Sequence, residues 1–170
     1  SALYGSNAIG GIINIISKTP TAEPQAKLWT EIGDHSQWRS GASGSAGSGP
    51  LTYNIDLSMV DSDHWRDNTA LEKQAATVKS YYNANDTSLM SFKIDLLSSE
   101  NESPGTLSEE DFNENWQQSY QTFTYKKTDK LAPSLTFNQY FDVSELSATL
   151  AFRDVEEEAI PNYSIRAGRS

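Results

Sequence analysis

The sequence predicts an all-β fold, built of amphipathic antiparallel strands of the kind that form part of a transmembrane barrel. Three observations carry this. Apolar and polar residues alternate with a period of two through most of residues 26–153, which gives each strand one apolar and one polar face. Short turns at 47–50, 84–87 and 142–145 fall on one side of the succession of strands, and longer polar stretches fall on the other. No apolar run approaches the ~20 residues of a membrane helix, so any crossing has to use strands of ~9–11 residues. A mean hydropathy of −0.59 is compatible with that, because half of each barrel strand faces a polar interior.

The chain opens with a segment of different character. Ser1–Pro20 joins the small-residue turn Gly5-Ser6-Asn7-Ala8 to the pair Gly10-Gly11 and to Ile12-Ile13-Asn14-Ile15-Ile16, and stops at Lys18-Thr19-Pro20. Isoleucines on both faces describe a strand with neither side in water, and paired glycines before it let another backbone pass close. Such a strand needs a body around it that twenty residues cannot supply. Residues 19–25, with Pro20 and Pro24, form a stiff connector.

Seven strands then follow. Ala26, Leu28, Thr30 and Ile32 oppose Lys27, Trp29 and Glu31 in the first, and Gly33-Asp34-His35-Ser36 turns the chain. Residues 37–47 return as a strand of Gly, Ala and Ser, small enough to admit something bulky against it. Leu51, Tyr53, Ile55, Leu57 and Met59 alternate with polar residues in the third, which runs into a polar loop at about 61–72. The fourth covers 72–83, and the fifth sets Met90, Phe92, Ile94 and Leu96 against Ser91, Lys93 and Asp95. A long loop spans about 98–129, with Ser108 followed by Glu109-Glu110-Asp111 as a helix start. Within it Tyr120, Phe123 and Tyr125 alternate with threonines, which suggests an outward extension of the next strand. The sixth strand contains Leu131, Leu135 and Phe137, and the seventh Leu146, Ala148, Leu150 and Phe152. Glu156-Glu157-Glu158 through Ser170 opens a further polar loop, at 156–170.

The opening segment resembles the end of the plug domain of TonB-dependent outer-membrane receptors. The resemblance rests on Ala2-Leu3-Tyr4-Gly5, Asn7-Ala8-Ile9-Gly10-Gly11 and Ile13-Asn14-Ile15-Ile16; Tyr4, Gly5, Asn7, Ala8, Gly10, Gly11 and Asn14 are its structural positions. It implies that residues 1–18 end the plug, 19–25 link it, and 26–170 begin a barrel of ~22 strands, of which about seven are here. It further implies a cell outer membrane of a Gram-negative bacterium, a non-enzymatic receptor for high-affinity uptake of a ferric siderophore or similar iron complex, and TonB, outer-membrane lipid and that ligand as partners. No cofactor is implied, since the iron complex is cargo.

A formal charge of −10 disfavours a nucleic-acid partner. The chain has no Cys, which removes disulfide and thiolate chemistry. No Gly-Lys-Ser/Thr follows the glycine pair, which argues against a phosphate loop. The acidic runs lack the spacing of a calcium loop, and His35 and His64 have no third ligand nearby. The candidate ligand contacts are Trp65 and Arg66 in the 61–72 loop and Trp116 and Tyr120 in the 98–129 loop: the aromatics as flat contact surfaces, Arg66 as a fork for chelate oxygens. The alternative of another class is a soluble or surface β-sandwich that stacks carbohydrate on Trp29, Trp38, Trp65 and Trp116.

Overall fold

The computed structural model describes residues 20–121 and 123–160, so the plug-like motif at Tyr4–Asn14 and the last ten residues lie outside the described residues. The described chain forms one antiparallel sheet of eight strands. In order these are β1 (Gln25–Ile32), β2 (Trp38–Ser48), β3 (Leu51–Ser62), β4 (Leu71–Asn85), β5 (Ser88–Glu102), β6 (Tyr125–Tyr140), β7 (Glu145–Ala151) and β8 (Asp154–Ile160). A short helix, α1 (Glu109–Glu114), sits between β5 and β6. Each strand up to β7 pairs with its successor, and β8 also pairs with β6. The described strands thus make one sheet, whereas a sandwich needs two.

Register converts the period-two pattern into two chemically distinct faces. Directly paired residues share a face, so one row runs Leu28, Ala42, Leu57, Ala76, Leu96 and Leu131. The next runs Ala26, Gly44, Ile55, Val78, Ile94 and Pro133. Toward the short turns the same face carries Tyr53, Phe92 and Leu135, then Leu51, Tyr82, Met90 and Phe137. The opposite face is polar or small, as in the row Lys27, Ser43, Asp56, Thr77, Asp95 and Ala132.

No hydrophobic side chain is buried among the described residues. Every exposed large apolar side chain on a strand, Tyr140 excepted, belongs to the apolar face. Covering each would stabilise the sheet by about 1.5–3 kcal/mol, and nothing in the described chain covers them.

The two ends of the sheet differ. Strands join through Gly49-Pro50, Asp86-Thr87 and residues 141–144 at one end, and through 33–37, 63–70 and 103–124 at the other. The loops are shorter than the sequence suggests, because Ser98–Glu102 and Tyr125–Asp129 are laddered strand. Likewise Asp61, Ser62, Leu71 and Glu72 pair between β3 and β4. Tyr120 and Phe123 lie in the connection, before β6 begins at Tyr125.

The expected polar loop from residue 156 is a correction. Asp154–Ile160 is a strand, and it lies in line with β7 along the same side of β6. Ser134 pairs with Ala151 and Leu131 with Asp154, so the register does not change across the join. What divides the edge is Pro133: the Phe152 amide donates to its carbonyl at 3.0 Å, and proline has no N–H to return the bond. Two of the three glutamates find partners on β6, while Glu156 lies opposite Asp129. Lys126 pairs with Glu157 at 2.8 Å, and the Tyr125 hydroxyl donates to Glu158 at 2.7 Å.

The small residues of β2 serve close approach, as their size suggests. A Cβ on Gly41 would stand 2.5 Å from the Trp29 ring, and one on Gly47 would stand 2.8 Å from the Ala22 Cα. The connector 20–24 therefore lies against the polar face, fixed by the Gly47 amide on the Ala22 carbonyl at 2.9 Å and by Thr21 with Ser45 at 3.1 Å.

Candidate ligand-binding site

The three connections at the long-loop end are joined to one another by hydrogen bonds. The β1–β2 turn is tight: His35 and Ser36 both adopt positive φ, 58° and 56°, and the Gln37 amide closes on the Asp34 carbonyl at 3.2 Å. The His35 carbonyl accepts from the Asp63 amide at 3.3 Å, which ties this turn to the β3–β4 loop. That loop is tied in turn to the β5–β6 connection. The Asp67 amide donates to Gln117 O at 2.8 Å, Gln117 Nε2 to Trp65 O at 3.1 Å, and Asn68 Nδ2 to Ser103 O at 2.9 Å.

Arg66 is the strongest tie. Its Nη1 donates to Gly105 O at 2.7 Å, its Nε to Gln118 O at 3.0 Å and an Nη2 hydrogen to Pro104 O at 3.3 Å. Charge-assisted bonds of this type contribute about 1.5–3 kcal/mol each. The sequence reading offered this fork to chelate oxygens, and the neighbouring Asp63 and Asp67 are its nearest acids in sequence. Its contacts lie elsewhere: three of its five N–H groups are engaged by backbone carbonyls. Gly105 itself adopts a positive φ of 67°, and a Cβ there would collide with the Gln121 side chain.

The predicted helix start is present. Ser108 caps α1, accepting the Asp111 amide at 3.2 Å while the Asp111 carboxylate accepts the Ser108 hydroxyl at 2.6 Å. Six residues make a helix that is marginal alone. Two side chains from the following loop hold it: the Tyr120 hydroxyl donates to Asp111 Oδ1 at 2.8 Å, and Gln118 Nε2 to Asp111 O at 2.8 Å.

These ties create an open cleft of about 500 Å³ between the two loops. Trp65, Arg66, Leu107, Glu109, Phe112 and Trp116 are among its lining residues. The Trp65 and Trp116 rings are stacked at a tilt, with centroids 5.2 Å apart and planes at 31°. All three aromatics keep large free surfaces: 45% of Trp65, 54% of Phe112 and 48% of Trp116 is exposed. Exposed aromatic surface in a concave place is what flat, partly apolar molecules bind.

Of the four predicted contacts, Trp65, Arg66 and Trp116 come together here. Tyr120 is not among the residues that line the cleft; its hydroxyl braces α1 at Asp111. Phe112 and Leu107 were missed, although the helix-start signature that located Ser108 also placed Phe112 on the first turns of α1. The four tryptophans are not one platform, since Trp29 lies over Gly41 on the polar face and Trp38 on the apolar face. No group of three His, Asp or Glu side chains fit to hold a metal occurs among the described residues. No family model matches the chain.

Proposed function

We propose that this chain is the end of the plug and the first part of the wall of a TonB-dependent outer-membrane receptor, one that takes up a ferric siderophore or a similar iron complex. One observation carries the reading: the exposed large apolar side chains on the strands of an up-and-down antiparallel sheet, Tyr140 excepted, collect on a single face. In a soluble protein that face would need a second layer. In a barrel wall it meets lipid, and the polar face with its small residues meets a plug. The strand lengths agree with this, because β4, β5 and β6 have 15, 15 and 16 residues. A tilted crossing needs only ~9–11, which leaves their charged ends to project beyond the bilayer and carry the joined loops. The plug-like motif of residues 1–18 supplies the family, and the aromatic cleft supplies a place for cargo.

The test uses the full-length protein that contains this chain, produced in a Gram-negative host. Fractionation should find it in the outer membrane, and cells should accumulate radioactive iron from at least one ferric chelate only while TonB is functional. Recovery of the protein from the soluble fraction would overturn the reading. Outer-membrane location with uptake of cobalamin or haem, and of no ferric chelate, would keep the receptor and replace its cargo.

A further inference from the structure

The cleft also says something about the charge of what it holds. Its aromatic wall offers ring faces, and its one guanidinium, Arg66, already donates from each of its three nitrogens, to Pro104, Gly105 and Gln118. Arg66 and Glu109 both line the cleft, so their formal charges offset one another there. Around them the balance is acidic. Asp63 and Asp67 flank Trp65-Arg66, Glu110 and Glu114 lie on α1, and Arg66 is the single Lys or Arg in residues 33–37, 63–70 and 103–124. An anionic complex approaching this mouth is repelled, and the one guanidinium in these loops is already tied to backbone carbonyls.

Resting on the receptor reading, we infer that the Trp65–Phe112–Trp116 cleft takes a ferric chelate with no net negative charge, held by its apolar face against the rings. Ferric iron bound by three monoanionic bidentate groups, as in hydroxamates, is neutral, and an added amine makes it cationic. Three dianionic catecholates leave it trianionic. The cleft therefore selects the hydroxamate class and excludes the catecholate class.

The experiment is equilibrium quenching of intrinsic fluorescence in the purified full-length receptor. The probes are ferrichrome (neutral), ferrioxamine B (cationic) and ferric enterobactin (trianionic). The neutral or cationic chelate should bind at least about tenfold more tightly than the anionic one, and Trp116→Ala should weaken its binding about tenfold or more. Raising the salt concentration should narrow the gap by screening the repulsion of the anionic probe. Glu109→Lys should narrow it as well, which provides a readout that does not depend on removing an aromatic ring. Tighter binding of ferric enterobactin would overturn the inference and leave the receptor standing. So would hydroxamate binding unchanged by both substitutions. Failure of all three probes to bind would overturn the inference, while the ferric receptor reading stands or falls with the uptake test.

Discussion

Arg66 Nη1 donates to the carbonyl oxygen of Gly105 at 2.7 Å, across two loops that are separate in sequence. With the bonds to Pro104 and Gln118, this contact holds the β5–β6 connection in place over the β3–β4 loop. Lysine keeps the charge and loses the planar fork. Arg66→Lys should therefore free the connection by about 2–4 kcal/mol of local opening. Limited proteolysis should show faster cleavage within 103–124, with the sheet itself unaffected. Equal resistance in the two proteins would mean that the other ties suffice.

The two faces of β3 make a sharp comparison possible. Ile55 lies on the apolar face and Asn54 on the polar one, next to each other in the chain. In the proposed membrane setting, Ile55→Arg should destabilise the folded protein by about 2–4 kcal/mol, and Asn54→Arg by far less. Denaturant titration in lipid vesicles measures both. Equal costs would remove the case for lipid on the apolar face.

Trp29 and Gly41 form a matched pair on the polar face, with the ring lying where a Cβ would stand. Gly41→Leu should cost about 1–3 kcal/mol through overpacking. Adding Trp29→Ala should recover much of that loss, since the two sites share the same space. Additive losses would show that the glycine is needed for something other than the ring.

Tyr125 and Glu158 predict a pH response at the outer end of the β6–β8 ladder. The hydrogen bond to Glu158, with smaller contributions from desolvation and from the charges of Glu158 and Glu100, raises the phenol above its usual value of 10.0. A raised pKa means that the protonated form is favoured in the fold. The contribution is thus complete below the unfolded value and disappears as pH rises through the folded one. Protection of the β8 amides from hydrogen exchange, compared with Tyr125→Phe, should show an advantage for the native protein near neutrality that vanishes on the alkaline side. An advantage that persists at alkaline pH would argue against the hydroxyl as its source.

The sequence revealed the strands where one face is apolar, because Leu51, Tyr53, Ile55 and Leu57 produce an alternation that local reading detects. Past that band the alternation at Tyr125 still indicated an outward extension of β6, but Ser98–Glu102 and Asp154–Ile160 were read as loop. Ser98–Glu102, Tyr125–Asp129 and Asp154–Ile160 are held by pairing between distant segments, and the charges that look like a loop in sequence are cross-strand partners in the sheet. The site divides along the same line. Trp65, Arg66 and Trp116 were visible as unusual side chains in polar stretches. The commitment of Arg66 to carbonyls, and the presence of Phe112 beside the tryptophans, depend on how two loops meet, which no local pattern encodes.

Pro133 sets a boundary in the last edge of the sheet. The proline sends no hydrogen bond to Phe152, so the ladder beside β6 is two ladders, seven residues of β7 and seven of β8. Cooperative opening spreads from rung to rung, and here it meets a rung that is absent on one side. Opening that starts in β8 therefore meets this incomplete rung before it reaches β7, so the amides of the two segments should exchange as separate units.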